Sequence, residues 1–253
     1  QRRGVAVNAL ACVHSGNGDA PLDVYRFLKD VGSRHMQFIP VVERDGVAGG
    51  ARQHSVGPEQ YGRFLCRLFD EWVRRDVGRV YVQSFEVALE AWTGRESSLC
   101  LFRPSCGLAL AVERNGDVYS CDHFVDSGHL LGNLTRQPLV ALVESESQTR
   151  FGEEKARLPE ECSSCDVRLA CEGGCPKDRF VASDQGGPAR NYLCPAYRQF
   201  FRHIDPYMRH MAAALERRES PASVMTWARS LGNCGPRARP VQAGRHPCGS
   251  VRK

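Results

Sequence analysis

The stretch CSSCDVRLACEGGCP, Cys162 to Pro176, sets four cysteines at intervals of two, five and three residues and follows the last with proline. Thiols crowded this closely cross-link, hold a metal group, or pack as small apolar side chains, and each outcome demands a different fold around them. Four more cysteines lie around the quartet: Cys100, Cys106 after five intervening residues, Cys121 after fourteen more, and Cys194 downstream. The opening QRRGVAVNAL is too short and too poor in small-residue cleavage signals for a secretory leader. With no start methionine, the chain is expected to begin inside a domain, and its compartment is expected to be the cytoplasm. In a reducing compartment, twelve cysteines favour metal or redox chemistry over a disulfide framework.

Composition narrows the partners. The chain has 253 residues, enough for one large or two modest domains, and no apolar run approaches the roughly 18 residues that span a bilayer. The net charge of +5 comes from one end: residues 217–253 hold eight Lys and Arg against Glu219, leaving 26 basic and 28 acidic side chains in residues 1–216. A slightly acidic body does not make a nucleic-acid face, so neither nucleic acid nor membrane is expected as a partner.

Hydrophobic periodicity divides the chain in two. Apolar runs at 5–13, 35–42 and 79–85 read as strands, and 21–31 and 58–75 read as helices, with Pro21 and Pro58 suited to first turns and Gly32 to a stop. Strand and helix in alternation predict βαβ units on a parallel sheet. Three strands and two helices are too few to close a barrel, so residues 1–95 are expected to be the second half of a larger α/β domain. From Cys100 the pattern changes. LALAVERNGDVYSC places strand-type residues on both sides of Asn115-Gly116, a hairpin signal. Residues 138–157 read as helix, 162–194 as loop-rich, and 195–217 as a closing helix bearing Phe200, Phe201, Ile204, Tyr207, Met208 and Met211. The Pro-, Gly-, Ser- and Arg-rich residues beyond it, 217–253, are expected to be disordered.

Eight cysteines between Cys100 and Cys194 divide naturally into two sets of four. Two structural zinc sites would satisfy that count. The step Cys171-x3-Cys175-Pro176 tilts the balance toward iron and sulfur, because in two-cluster ferredoxins the cysteine of such a step crosses to the other cluster. The same crossing lets Cys175 join Cys100, Cys106 and Cys121, while Cys194 joins Cys162, Cys165 and Cys171. On spacing alone, zinc and clusters both stay open. Cys12 and Cys66 stand isolated and suit unligated packing, and Cys234 and Cys248 read as incidental.

These residues carry a resemblance. The order C-x5-C-x14-C, then C-x2-C-x5-C-x3-C, then a distal cysteine, with CGLALAVERNGDVYSCDHF, LGNL and NYLCPAY, resembles the SPASM domain of radical S-adenosylmethionine (SAM) enzymes, and more narrowly the anaerobic sulfatase-maturating enzymes. DVYRFLKDVGSRHMQFIPVVER is similar to the second half of their barrel, so the resemblance spans about residues 4–215. It implies an α/β fold in which half of a (β/α) radical SAM barrel, residues 1–95, precedes a small α+β SPASM domain, residues 96–216, with a β-hairpin and two auxiliary 4Fe-4S clusters. By the resemblance, one cluster takes Cys100, Cys106, Cys121 and Cys175, and the other takes Cys162, Cys165, Cys171 and Cys194.

The resemblance also implies a reaction: oxidation of the Cys or Ser of a sulfatase C/S-x-P-x-R motif to formylglycine. A deoxyadenosyl radical from SAM takes hydrogen from the substrate Cβ, a base takes the thiol or hydroxyl proton, and an electron leaves through the auxiliary clusters. Asp122, directly after the third cysteine, occupies the position of the base; by residue type alone it would merely end a strand. Val42 falls where SAM's adenine packs, with Gln37 on the same strand, although Val42 would serve equally as core. His14, Glu43, Arg44, Glu86 and His123 are further candidates for the cleft. A sulfatase polypeptide and a low-potential donor of the ferredoxin or flavodoxin type are the implied partners, with the protein monomeric.

One departure is large. Radical SAM chemistry needs a C-x3-C-x2-C triplet for a third 4Fe-4S cluster, and no three cysteines here have that spacing. These residues alone are therefore expected to be inactive in radical generation, and an open half-barrel to expose apolar surface. Two alternatives stand beside this reading: a SPASM-containing peptide maturase making a thioether or carbon–carbon crosslink, and a non-catalytic iron–sulfur electron-transfer or zinc-binding module.

Overall fold

A computed structural model describes residues 7–46, 49–184 and 186–231. Its first part is a parallel three-stranded sheet of β1 (Asn8–Val13), β2 (His35–Pro40) and β3 (Tyr81–Val82), in the order β1-β2-β3. Asn8 pairs with His35 and Val13 with Pro40, and His35 pairs in turn with Tyr81. Parallel neighbours need crossovers, which α1 (Pro21–Asp30) and α2 (Pro58–Arg75) provide. Proline opens both helices, where its missing N–H costs nothing, and the Gln60 side chain accepts from the Gly57 N–H ahead of α2.

Two sequence expectations fail here for identifiable reasons. The strand expected over 79–85 stops after Val82, because α3 (Gln83–Trp92) starts at once and turns Phe85 into the core against Phe69 and Trp72. Helical spacing over 21–31 puts Val24, Phe27, Leu28 and Val31 on one face, yet the buried residues of α1 are Pro21 and Tyr25, Val24 and Leu28 are partly buried, and Phe27 and Val31 are more than half exposed. Asp76 sets that rotation: its carboxylate accepts from the Tyr25 hydroxyl at 2.8 Å and from Lys29 Nζ at 2.7 Å, which docks α1 by a polar pair. Phe27 and Val31, with Leu10 on β1 and Ile39 on β2, leave apolar side chains in solvent.

The second part begins with the turn Cys100–Phe102 and a small antiparallel sheet, β4 (Ala111–Val112), β5 (Asp117–Tyr119) and β6 (Leu130–Asn133). Gly116 takes the positive φ of 89° at the β4–β5 turn, and the Asn115 side chain accepts from the Asp117 N–H. The helix expected over 138–157 is two, α4 (Leu139–Val143) and α5 (Glu146–Glu154), because the Ser145 hydroxyl caps α5 by accepting from Gln148 N–H. Two single turns follow, α6 (Glu160–Ser163) and α7 (Arg168–Cys171), then the ribbon β7 (Arg179–Val181) with β8 (Arg190–Asn191). Finally α8 (Cys194–Glu216) closes the unit.

One hydrophobic cluster runs through both parts, because α8 lies along α2. Phe69 sits at its centre, fully buried, with ring centroids 5.1–6.3 Å from those of Trp72, Phe85, Phe200 and Tyr207. The disorder expected from residue 217 does not hold up to Leu231. Residues 221–223 form a turn, and α9 (Val224–Ser230) buries Val224 and Ala228 and stacks Trp227 on His210. The apolar residues of 224–228 outweigh the prolines and arginines around them. Cys234, Cys248 and the rest of the basic tail lie outside the described residues. Among those described, no helix is long and apolar enough to cross a membrane.

Phe69→Ala is expected to cost about 3–5 kcal/mol, the range for emptying a fully buried aromatic site. Urea unfolding followed by tryptophan fluorescence measures it.

Candidate metal and redox site

Eight cysteines are built into this second part by short-range structure. Cys162 ends its approach on α6, and its carbonyl accepts from Cys165 N–H at 3.3 Å, so the C-x2-C pair forms one tight turn. Cys171 closes α7. Beyond it Glu172, Gly173 and Gly174 take positive φ in succession, 43°, 71° and 63°. A Cβ on Gly173 would lie 2.4 Å from the Leu158 side chain, and one on Gly174 would lie 2.6 Å from that of Asn191. Glycine is needed at both positions for fit as well as for conformation. This left-handed reversal separates Cys171 from Cys175.

Cys162, Cys165, Cys171 and Cys194 line one cavity, with Cys194 delivered by the first turn of α8. Its charged lining is all arginine: Arg168, Arg179, Arg190 and Arg198, with no carboxylate. Burial pushes the Cys171 thiol up to about 12, and the neighbouring Cys194, Cys165 and Cys162 add to the shift.

Cys175 does not line that cavity and instead neighbours Cys100, Cys106 and Cys121, the first set in chain order. Burial raises the Cys175 pKa to about 11 and that of Cys121 to about 12; Cys100 contributes to the first and Cys175 to the second. The Cys106 thiol is raised by burial and by Cys100. Gln148, fully enclosed on α5, donates to the carbonyls of Gly107 at 2.6 Å and Ser120 at 3.2 Å, so one side chain ties down the residues next to Cys106 and Cys121.

Asp122 is exposed, and its Oδ1 accepts from Cys121 Sγ at 3.1 Å. His123 Nδ1 lies 3.6 Å from Cys175 Sγ, so the three residues Cys121 to His123 sit on the rim of the first set. Val42 follows β2 and is 6% exposed, its side chain in the hydrophobic cluster. Its carbonyl accepts from Lys177 Nζ at 2.9 Å, which joins the C-terminal end of the parallel sheet to the loop just past Cys175.

Gln37 is half-buried on β2. His14 accepts from the Gly16 N–H, Glu43 pairs with His54 at 3.1 Å, and the Arg44 guanidinium lies over the Phe180 ring. Glu86, in the first turn of α3, has its pKa raised by burial. His14, Glu43 and Glu86 thus all follow C-terminal ends of the three parallel strands. Cys12 and Cys66 join neither set; Cys12 is exposed, and burial raises the Cys66 thiol to about 12.

The donor chemistry fits a sulfur-ligated, negatively charged group and not a hard, oxygen-seeking cation. Spacing bears on the two soft candidates, zinc and an iron–sulfur cluster. Tetrahedral zinc with Zn–S near 2.3 Å draws its sulfurs to about 3.8 Å apart. Among the described residues, the one set of three or more His, Cys, Asp or Glu side chains with ligand atoms all within 4.8 Å is Cys121, Asp122 and His123, so neither four-cysteine set is that tight. Cysteines set wider apart suit a polynuclear iron–sulfur cage. Sequence reasoning missed Gln148, Lys155, Lys177 and Arg179. Lone polar residues carry no periodic pattern, although Ser145-x-x-Gln148 does have the form of a capping box.

Comparison with known proteins gives three findings. The family model for the SPASM iron-sulfur cluster-binding domain matches residues 100–166. A serine-type anaerobic sulfatase-maturating enzyme of Bacteroides thetaiotaomicron is 42% identical over 89% of this chain, and a cysteine-type one of Clostridium perfringens is 30% identical over 82%. A solved structure described as native anSMEcpe with bound AdoMet and Cp18Cys peptide superposes with a TM-score of 0.71 at 29% identity, over 82% of this chain and 58% of that one. The chain spans 58% and 56% of the two enzymes' lengths.

The double substitution Cys171→Ala/Cys194→Ala is expected to remove about half of the iron taken up on anaerobic reconstitution. Cys12→Ala/Cys66→Ala is expected to leave it unchanged. Iron and acid-labile sulfide analysis reads both.

Proposed function

The chain is a homologue of the anaerobic sulfatase-maturating enzymes, matching their C-terminal part, and from that premise we propose that it forms the electron-accepting half of such an enzyme. The whole protein oxidises the Cβ of a sulfatase Ser or Cys to the aldehyde of formylglycine. Greater identity to the serine-type relative favours serine. A sulfatase segment carrying C/S-x-P-x-R is the substrate, and a ferredoxin or flavodoxin is the external donor.

In this reading Cys100, Cys106, Cys121 and Cys175 hold one 4Fe-4S cluster, and Cys162, Cys165, Cys171 and Cys194 hold the other. When bound, such clusters accept the single electron that the substrate must lose. What carries the reading is the reversal at residues 172–174, which gives each set its fourth cysteine while leaving the sets three residues apart.

The oxidation removes two electrons and two protons from the substrate carbon and its hydroxyl or thiol, which makes the aldehyde directly from serine, whereas cysteine gives a thioaldehyde that water hydrolyses with loss of hydrogen sulfide. A hydrogen atom goes to the deoxyadenosyl radical, which SAM supplies at a third 4Fe-4S cluster whose triplet is not among these residues. Asp122 would take the remaining proton on its carboxylate, and a cluster held by Cys100, Cys106, Cys121 and Cys175 would accept the remaining electron. The exposed Asp122 carboxylate 3.1 Å from Cys121 Sγ supports this reading of adjacent proton and electron acceptors. Val42, just past the C-terminal end of β2 and 6% exposed, is the residue assigned to the adenine of SAM in this reading.

In the complete enzyme, Asp122→Asn is expected to keep SAM cleavage and lower formylglycine at least about a hundredfold, the low end for loss of a general base. Mass spectrometry of a co-expressed sulfatase peptide, with 5′-deoxyadenosine measured in parallel, checks this. Wild-type yield would remove Asp122 from the proton step, and a crosslinked peptide would replace the proposed reaction with another.

A further inference from the structure

Two cations beside the cysteines have no carboxylate. Lys155 is 1% exposed, and its Nζ donates to the carbonyls of Leu101 and Arg103. Arg179, half-buried at the start of β7, donates to the carbonyls of Glu172, Gly173 and Gly174 on the reversal, and to those of Lys155 and Arg157. Neither forms an ion pair among the described residues; Asp178, next to Arg179 in sequence, lies 2.7 Å from Lys177 Nζ.

Carbonyl oxygens carry only partial charge, so a nearby anion, which the free thiols do not supply, would stabilise both side chains further. Both face sulfur. Arg179 lines the cavity of Cys162, Cys165, Cys171 and Cys194, and its charge also bears on Cys106 and Cys175. Lys155 faces the other set, where Cys106, Cys100 and Cys175 bear on it.

We propose that Arg179 is a counter-charge shared by both four-cysteine sites, that Lys155 is a second one for the Cys100 set, and that together they raise the sites' reduction potentials. This rests on the two-cluster reading above. Each thiolate-ligated cluster is anionic, and one-electron reduction makes it more so. A fixed cation nearby stabilises the reduced form more than the oxidised one, which favours taking an electron from the substrate. Both residues are positioning residues, since neither needs to touch substrate.

The test uses the full chain loaded anaerobically with iron and sulfide, with iron and sulfide counted and midpoints read by EPR-monitored redox titration. In the loaded protein, Lys155→Met is expected to lower one of two midpoints, and Arg179→Gln both. Arg179→Lys, which keeps the charge but not the five-carbonyl fork, is expected to stay at wild-type potentials. A purely structural role would reduce loading without moving the midpoints.

Unmoved midpoints in loaded Lys155→Met overturn the inference for Lys155, and unmoved midpoints in loaded Arg179→Gln overturn it for Arg179, with the clusters left standing in both cases. If Arg179→Gln does not load, a lowered midpoint in Arg179→Lys overturns the claim that charge is what matters there, and wild-type midpoints support it. Zinc without sulfide in the wild type would end the cluster reading and the inference with it.

Discussion

The left-handed reversal at Glu172, Gly173 and Gly174 is the constraint on which the rest depends. Three successive residues with positive φ are costly for side chains bearing a Cβ, and two of the three are glycines pressed against Leu158 and Asn191. The turn sends Cys171 into one neighbourhood and Cys175 into the other. Five of the carbonyls around it are gathered by the Arg179 fork, so the same guanidinium that fixes the turn faces the sulfurs that the turn has separated. A helical or extended path between Cys171 and Cys175 would not divide the eight thiols into these two sets.

The hydrophobic core fixes the distances that the reversal leaves open. Cys194 is the first residue of α8, and Ala196, Tyr197, Phe200 and Phe201 bury the next two turns of that helix. Moving the helix along α2 would carry Cys194 away from Cys162, Cys165 and Cys171. Lys177 does the same for the first set, tying the loop past Cys175 to the end of β2 through the Val42 carbonyl. Packing energy from aromatic side chains is thus converted into position for sulfur, which burial alone would leave as neutral thiols.

The long amphipathic helices were legible in sequence because their signals are redundant. Pro58 marks the start of α2, and its stripe of Tyr61, Phe64, Leu65, Leu68 and Trp72 is buried as the period requires. The eight-cysteine order was equally legible, since ligand spacing is a local property. What could not be read was set by tertiary contact. Asp76 rotates α1 from a distance of 47 residues, and Phe85 ends β3 early because Phe69 and Trp72 offer it a place. Lys155 meets the Leu101 carbonyl across 54 residues, a separation at which one lysine among many carries no mark.

Charge connects these parts into one argument about function. The lining of the second set's cavity carries four arginines and no acid, with Asp166 outside it 4.0 Å from Cys165 Sγ, while Asp122 lies 3.1 Å from Cys121 Sγ on the exposed rim of the first set. A base must be reachable by substrate and hold a negative charge, and an electron acceptor gains from enclosure near fixed positive charge. In the proposed reading the two demands fall on one peptide, with Asp122 exposed and Cys121 beside it in the set that also contains Cys175. From Cys175 the covalent path to Cys171 crosses three residues held by Arg179. In the proposed reaction, a proton leaving toward solvent and an electron moving inward would diverge from this one pair of residues.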